Sequence, residues 1–252
     1  MSDPFRLDGR VALVTGANKG LGQGMAVALA RAGADIVALG RSDPAETAHA
    51  VAAAGRRLHW VASELSPPAV ADAAVARAFD VAGRIDVLVN NAGTIRRAPA
   101  LEYTEADWDA VNDINLKASF FLAQSVARRW VAAGRGGKII HVASMLSYQG
   151  GIRTAAYTAS KSAIPGITRL MCNEWAAHGI QVNAIAPGYM ATDNTELLRA
   201  DETRSREILG RIPAGRWGTP GDLGGAAVFL ASAASDYVNG IVLPVDGGWL
   251  AR

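Results

Sequence analysis

A single cysteine in 252 residues, Cys172, cannot close a disulfide within the chain, so the fold must be held by its core and nothing demands an oxidising compartment. Cys172 follows Leu170 and Met171 in an apolar stretch and reads as a small core residue. Charge of one sign is also scarce. A formal net charge of +2 offers no basic face for nucleic acid and no reason to seek an anionic membrane surface. No apolar run approaches the roughly 20 residues needed to cross a bilayer. Met1 to Arg10 holds no apolar segment, so no secretory signal is expected and a cytoplasmic location is the expectation. The four histidines, His49, His59, His141 and His178, lie far apart without ligand spacing, so no metal site is expected. Ser144 does not sit in a G-x-S-x-G elbow, which leaves a triad hydrolase without support.

What the chain does have is alternation. Short apolar runs fall at 11–15, 35–39, 58–62, 85–89, 138–143, 180–185 and 240–245. Helical stretches fall at 22–32, 67–82, 105–133, 155–177 and 222–231. Strands alternating with helices predict one α/β domain over 1–252: a Rossmann-like, doubly wound parallel sheet of about seven strands with helices on both faces. In such sheets ligands bind beyond the carboxyl ends of the strands, and the motifs below all fall at that edge. One segment breaks the rhythm. Residues 188–220 are long, polar and partly helical over 196–209, which suggests a substrate lid.

Directly after the first strand comes Thr15-Gly16-Ala17-Asn18-Lys19-Gly20-Leu21-Gly22. Glycine lets a pyrophosphate approach the main chain, and a helix N-terminus behind it offers free N–H groups. A plain tight turn is the alternative, but strand, glycines and helix come in the order dinucleotide binding requires. Tyr157 and Lys161 are four residues apart in a helical stretch and share a face. A neighbouring ammonium favours the phenolate, which is expected to lower the phenol's pKa toward acid–base use. A solvated helix face is the alternative for that pair taken alone.

The glycine spacing is TGxxxGxG. With Asn90-Asn91-Ala92-Gly93, Ser144, Tyr157-x-x-x-Lys161, Pro187-Gly188 and Asp246-Gly247-Gly248, it resembles the short-chain dehydrogenase/reductase family over essentially the whole chain. The resemblance implies an NAD(P)-dependent oxidoreductase with a catalytic tetrad of Asn115, Ser144, Tyr157 and Lys161. Asn115 would anchor a water that links the lysine to solvent, and Lys161 would also bind the nicotinamide ribose. Cofactor contacts are implied at Gly16, Asn18, Lys19, Gly20, Leu21, Gly22, Arg41, Glu64, Leu65, Asn91, Ala92, Gly93, Tyr157, Lys161, Pro187, Gly188, Met190 and Thr192. Glu64 stands where the family usually has an aspartate near the adenine. The family also implies a homo-oligomer, usually a tetramer.

At the end of the second strand an acid would select NAD; here the order is Leu39-Gly40-Arg41-Ser42, and Lys19 adds a second cation. Two cations and no acid favour NADP, with NAD possible and Asp43 a complication. Runs such as Ile95-Arg96-Arg97, Ser144-Met145-Leu146-Ser147 and Gln149-Gly150-Gly151-Ile152-Arg153 resemble the subgroup of 2-dehydro-3-deoxy-D-gluconate 5-dehydrogenases, 2-deoxy-D-gluconate 3-dehydrogenases and gluconate 5-dehydrogenases. The expected partner is therefore a small anionic carbonyl or alcohol substrate. Arg96, Arg97 and Arg153 are candidates for its carboxylate, and Ser147, Gln149 and Asn194 for its hydroxyls. A surface salt bridge is the alternative for each arginine. Two other functions stay open: a 3-ketoacyl reductase acting on a carrier-protein thioester, and a non-enzymatic dinucleotide sensor, against which the complete tetrad argues.

Overall fold

The computed structural model describes residues 3–252. Seven parallel strands form one sheet: β1 (Val11–Thr15), β2 (Asp35–Gly40), β3 (Leu58–Ala62), β4 (Val87–Asn90), β5 (Gly137–Val142), β6 (Ile180–Pro187) and β7 (Val242–Val245). Their order is β3-β2-β1-β4-β5-β6-β7, so the winding reverses between β1 and β4. Strand side chains alternate between two buried faces. Ala12 and Val14 enter one core cluster while Val11 and Leu13 enter the other. Burial on both sides explains why the strands read as continuous apolar runs.

The first face is covered by α1 (Gly20–Arg31) and α9 (Gly224–Ala231). The second is covered by α3 (Pro68–Ala82), α5 (Ser119–Ala132) and α6 (Ala155–Trp175). α2 (Ala45–Ala53) runs between β2 and β3, where the sequence pattern predicts no helix. Only Thr47 and Val51 of α2 are buried, so it has almost no apolar periodicity to read. The helix expected over 105–133 is continuous but not uniform. It consists of α4 (Glu105–Asn112), a π-helical stretch at Asp113–Ala118, and α5. Among the described residues no helix is long and apolar enough to cross a membrane.

Segment 188–220 carries two short helices, α7 (Glu196–Ala200) and α8 (Glu202–Arg211), in place of one. Its two ends are paired with each other, and its middle is tied to the body at α8. Met190 pairs with Gly218, and Ile208 and Ile212 pack with Trp249 in a third core cluster.

The far end of the sheet from the strand tips is a rigid base. The fully buried Trp130 donates from Nε1 to the Ile85 carbonyl at 2.7 Å and lies against Gly137, whose missing side chain leaves room for the indole. Trp130→Ala is expected to cost about 3–5 kcal/mol in urea denaturation. Trp130→Phe, which leaves the Ile85 carbonyl unpaired, is expected to cost about 1–3 kcal/mol. Ligand binding by the folded fraction should be unchanged in both, because the indole lies at the end opposite to the site.

Candidate active site

At the β1 tip the chain turns sharply through Gly16 and Gly20, both at positive φ (65° and 56°). A Cβ on Gly22 would run into the Gly16 carbonyl and the Asn91 amide, so close packing of turn against helix excludes any side chain there. The turn is held from two sides. Thr15 Oγ1 accepts from the backbone N–H groups of Asn91 and Ala92, each at 2.9 Å, while Asn91 Nδ2 donates to the Thr15 and Gly16 carbonyls. From α2, the fully buried Thr47 hydroxyl donates to the Ala17 carbonyl at 2.7 Å. Sequence reading missed Thr15 and Thr47 as supports; a hydroxyl heading the glycine motif was the available sign for the first. Helix α1 has no side-chain cap and no acidic residue in its first turn. Its leading N–H groups therefore keep their affinity for an anion. A glycine-lined bend of this shape fits the pyrophosphate of a dinucleotide.

The two cations expected at a 2′-phosphate both sit near carboxylates. Lys19 Nζ is 2.6 Å from Asp193 of the 188–220 segment, and Arg41 Nε is 3.9 Å from Glu64, all four side chains being largely exposed. Leu65, next to Glu64, is buried in the core. Across the cleft, Gly188 follows β6 so tightly against Asp246 that a Cβ would strike it, and Gly188 N–H donates to the Val245 carbonyl at 2.9 Å. Pro187-Gly188 and Asp246-Gly247-Gly248 thus meet in space. Met190 is buried, and Thr192 opens the short turn over Asp193–Thr195.

The four residues expected to form the tetrad come from three elements on one side of the sheet. Asn115 lies in the π-helical stretch, 1% exposed. Its Oδ1 accepts from Thr94 N–H at 2.8 Å, and its Nδ2 donates to the Thr94 carbonyl and to Ser160 Oγ. The wider turn shifts one residue out of α-helical register, a feature frequent at functional sites. Ser144 follows β5; its Oγ accepts from Leu146 N–H at 3.2 Å, which leaves its own hydrogen to be donated toward the Tyr157 phenol. Tyr157 and Lys161 stand on α6, with the Lys161 ammonium 5.8 Å from the Tyr157 ring centre. Lys161 Nζ donates to the Val142 carbonyl at 2.6 Å.

The electrostatics differ from the simple expectation. Burial raises the Tyr157 phenol above its ordinary value, while the Ser144 hydroxyl and the Arg97 charge oppose that rise. Burial lowers the Lys161 ammonium to about 8. Beside it on β5, the fully buried His141 is lowered to about 3 by burial and by the Lys161 charge, so it is neutral at physiological pH. His141 Nδ1 lies 3.3 Å from Asn90 Nδ2, which also donates to the Ser119 carbonyl.

Around the mouth the candidate substrate residues separate. Arg96 turns toward Asp107 and Thr94. Arg97 reaches across to the Asn194 carbonyl at 3.2 Å, and its charge is felt at the Tyr157 phenol. Arg153 is the one non-glycine residue at positive φ (59°) among those described, and its carbonyl accepts from Ala98 N–H, joining the two mouth loops. Gln149 Oε1 accepts from Trp249 Nε1 at 3.1 Å and from Arg211. Ser147 Oγ donates to the Lys161 carbonyl at 2.6 Å. Among the described residues no cluster of metal-ligating side chains occurs.

Comparison with known proteins gives a consistent set of relatives. The family profile described as enoyl-(acyl carrier protein) reductase, of the short-chain alcohol dehydrogenase type, matches residues 16–250. The 2-dehydro-3-deoxy-D-gluconate 5-dehydrogenase of Dickeya dadantii is 60% identical over 248 residues, covering 98% of each chain. A solved structure from Agrobacterium tumefaciens, described as a 2-deoxy-D-gluconate 3-dehydrogenase with bound NADP, is 55% identical with a TM-score of 0.95, covering 100% of each chain. The gluconate 5-dehydrogenase of Burkholderia cenocepacia, in complex with NADP and tartrate, is 43% identical with a TM-score of 0.94, covering 99% of this chain and 98% of that one.

A buried ammonium has a testable cost. Between pH 8 and the ordinary lysine value, the unfolded chain holds a proton that the folded chain has released, so the Lys161 contribution to stability rises with pH there. Below pH 8 both states are protonated and the cost of burying the charge is present in full. Lys161→Met is therefore expected to be more stable than the parent at pH 7, by about 1–3 kcal/mol, in denaturant titration. The gap should narrow toward pH 10. A variant less stable at pH 7 would show that the bond to the Val142 carbonyl outweighs the burial cost.

Proposed function

The chain belongs to the short-chain dehydrogenase/reductase family, and from that premise we propose that it interconverts a keto and a hydroxy group on a small sugar acid of the 2-keto-3-deoxygluconate, deoxygluconate or gluconate type. The observation that carries this reading is the reach of Arg97: a guanidinium at the mouth that spans to the Asn194 carbonyl at 3.2 Å and whose charge bears on the Tyr157 phenol. A substrate held by its carboxylate there would present a carbonyl to Tyr157 and Ser144.

NADP is the favoured cofactor and NAD the other possibility; when bound it would supply or accept the hydride. Gly16, Asn18, Gly20, Leu21 and Gly22 would line its pyrophosphate, Arg41 and Lys19 its 2′-phosphate, and Pro187, Gly188 and Thr192 its nicotinamide end. Ser144 would turn its hydrogen from the Tyr157 phenol to the substrate oxygen and fix the carbonyl in place. Tyr157 would give that oxygen its proton in reduction, or take one in oxidation. Lys161, charged at neutral pH, would favour the phenolate left behind, would pass it a proton to restore the phenol, and would itself be reprotonated along the Asn115 side. The raised phenol suits the reductive direction, since the acid form is the one populated at pH 7.

Segment 188–220 would serve as the substrate lid, with Arg97 spanning to it through Asn194. Self-association belongs to the same proposal. A groove of about 440 Å³ between α5 and α6, lined by Phe120, Val131, Leu170 and Trp175, gives a second copy an apolar face to cover. A cytoplasmic location is likewise proposed.

Two measurements test the reading. With a panel of keto sugar acids, gluconate and acetoacetyl thioesters, turnover should be greatest on a sugar acid and should fall about 10²–10⁴-fold in Tyr157→Phe. Oxidation should quicken as pH rises and reduction should slow, because the phenolate is the base and the phenol the acid. Preference for the thioester would favour a carrier-protein reductase instead. In the second test, Arg97→Ala is expected to raise KM for a sugar acid about tenfold or more while changing a neutral ketone little. Arg153→Ala should act in the same sense if its side chain also meets the carboxylate. Equal effects on acidic and neutral substrates would remove the carboxylate from the model of binding.

A further inference from the structure

Helix α6 contains a proline, Pro165, buried and four residues beyond Lys161. Proline has no N–H, so the helical bond that residue 165 would donate to the Lys161 carbonyl does not exist. A buried carbonyl without a donor costs free energy, and the side chain that answers it is Ser147, whose Oγ donates at 2.6 Å. The same oxygen accepts the backbone N–H of Ser144 at 3.2 Å. One hydroxyl thus joins the backbone of Ser144 to the backbone of Lys161. A neighbouring serine repeats the stitch: Ser162 Oγ donates to the Leu146 carbonyl at 2.9 Å. Lys161 is consequently held at both ends, its carbonyl by Ser147 and its ammonium by the Val142 carbonyl.

We infer that Ser147 is a positioning residue for the reaction, and that Pro165 creates its role by freeing the Lys161 carbonyl. The inference rests on the reading of Ser144, Tyr157 and Lys161 as the reacting groups. It changes the expectation for Ser147 itself. Its only hydrogen is committed to Lys161 and one lone pair to Ser144, so it has nothing to donate to a substrate hydroxyl. Ser147 therefore acts on the spacing between Ser144 and the lysine, not on the substrate. A small misplacement of reacting groups is costly, with about 10²-fold lost per ångström in unfavourable cases.

The test separates positioning from substrate contact. Ser147→Ala is expected to lower kcat about tenfold on a sugar acid and on a neutral ketone alike, with KM moving less than about twofold. Ser147→Thr, which keeps the hydroxyl, should recover most of the loss. Pro165→Ala is the second probe. Its new N–H competes for the Lys161 carbonyl, so kcat should fall severalfold at unchanged KM while thermal stability stays level or rises. In the double variant the restored helical bond should return the stability lost in Ser147→Ala but not its kcat, because the tie to Ser144 N–H stays broken. A raised KM for polyhydroxy substrates with unchanged kcat in Ser147→Ala would overturn the inference, as would parental kcat in Pro165→Ala. Failure of the parent enzyme on every carbonyl would instead sink the proposed function.

Discussion

The hydroxyl of Thr15 occupies the point on which the rest of the site depends. Strand order reverses between β1 and β4, and the crevice this opens at the strand tips is where a doubly wound sheet binds its ligand. A crevice between two strand ends is also where backbone groups run out of ladder partners. Thr15 Oγ1 takes two of them, the N–H groups of Asn91 and Ala92, and Asn91 returns its amide to the carbonyls of Thr15 and Gly16. Glycine turn and β4 tip are thereby fixed as one piece. The position of α1, of Gly93 beside Asn115, and so of the π-helical stretch all refer back to that junction.

On the other side of the crevice a second constraint acts. Lys161 is buried with its charge, and β5 supplies little to offset it beyond the Val142 carbonyl. His141, its neighbour in the sheet, is held neutral by the same burial and by the same charge. A second cation beside the first in that setting would be poorly solvated and repelled, so the imidazole stays neutral. The lowered lysine and the raised phenol share their largest cause, burial where β5 meets α6. Low dielectric strengthens the Ser144 and Arg97 effects on the phenol in turn. Perturbed groups gather here because burial gathers here.

Much of this was legible in the residues. Apolar runs marked all seven strands, with ends displaced by at most two residues, because strands buried on both faces need continuous apolar sequence. Glycine order, the Tyr157–Lys161 spacing and Pro187-Gly188 were readable because each motif is a local backbone or helix-face requirement, and the fold gathers them at the strand-tip edge. Helix α2 was hidden, since Ala45–Ala53 buries two side chains and leans on Thr47 instead of an apolar stripe. The π-helical stretch was hidden as well, because an extra residue in one turn leaves no mark in a hydrophobic pattern. Local sequence also said nothing of where Lys19 and Arg41 point: Asp193 lies 174 positions away and Glu64 lies in a different strand-end loop. Gln149 is a similar case. A polar residue on a mouth loop looks free until the C-terminal Trp249 closes on it.

Pro165 shows how such long-range partners arise from a local cause. Taken as sequence, a proline inside a helical stretch is a defect that kinks or ends the helix. In the fold α6 runs on for ten residues beyond it, and the cost is met by a hydroxyl from the loop after β5. The defect becomes a specific acceptor in a place where a regular helix offers none, because every interior carbonyl of a regular helix is already taken. That acceptor lies on the backbone of Lys161 itself. A loop that needs a fixed distance to Lys161 therefore finds its anchor there, and the placing of Lys161 against Ser144 follows from a residue one helical turn further along the same helix.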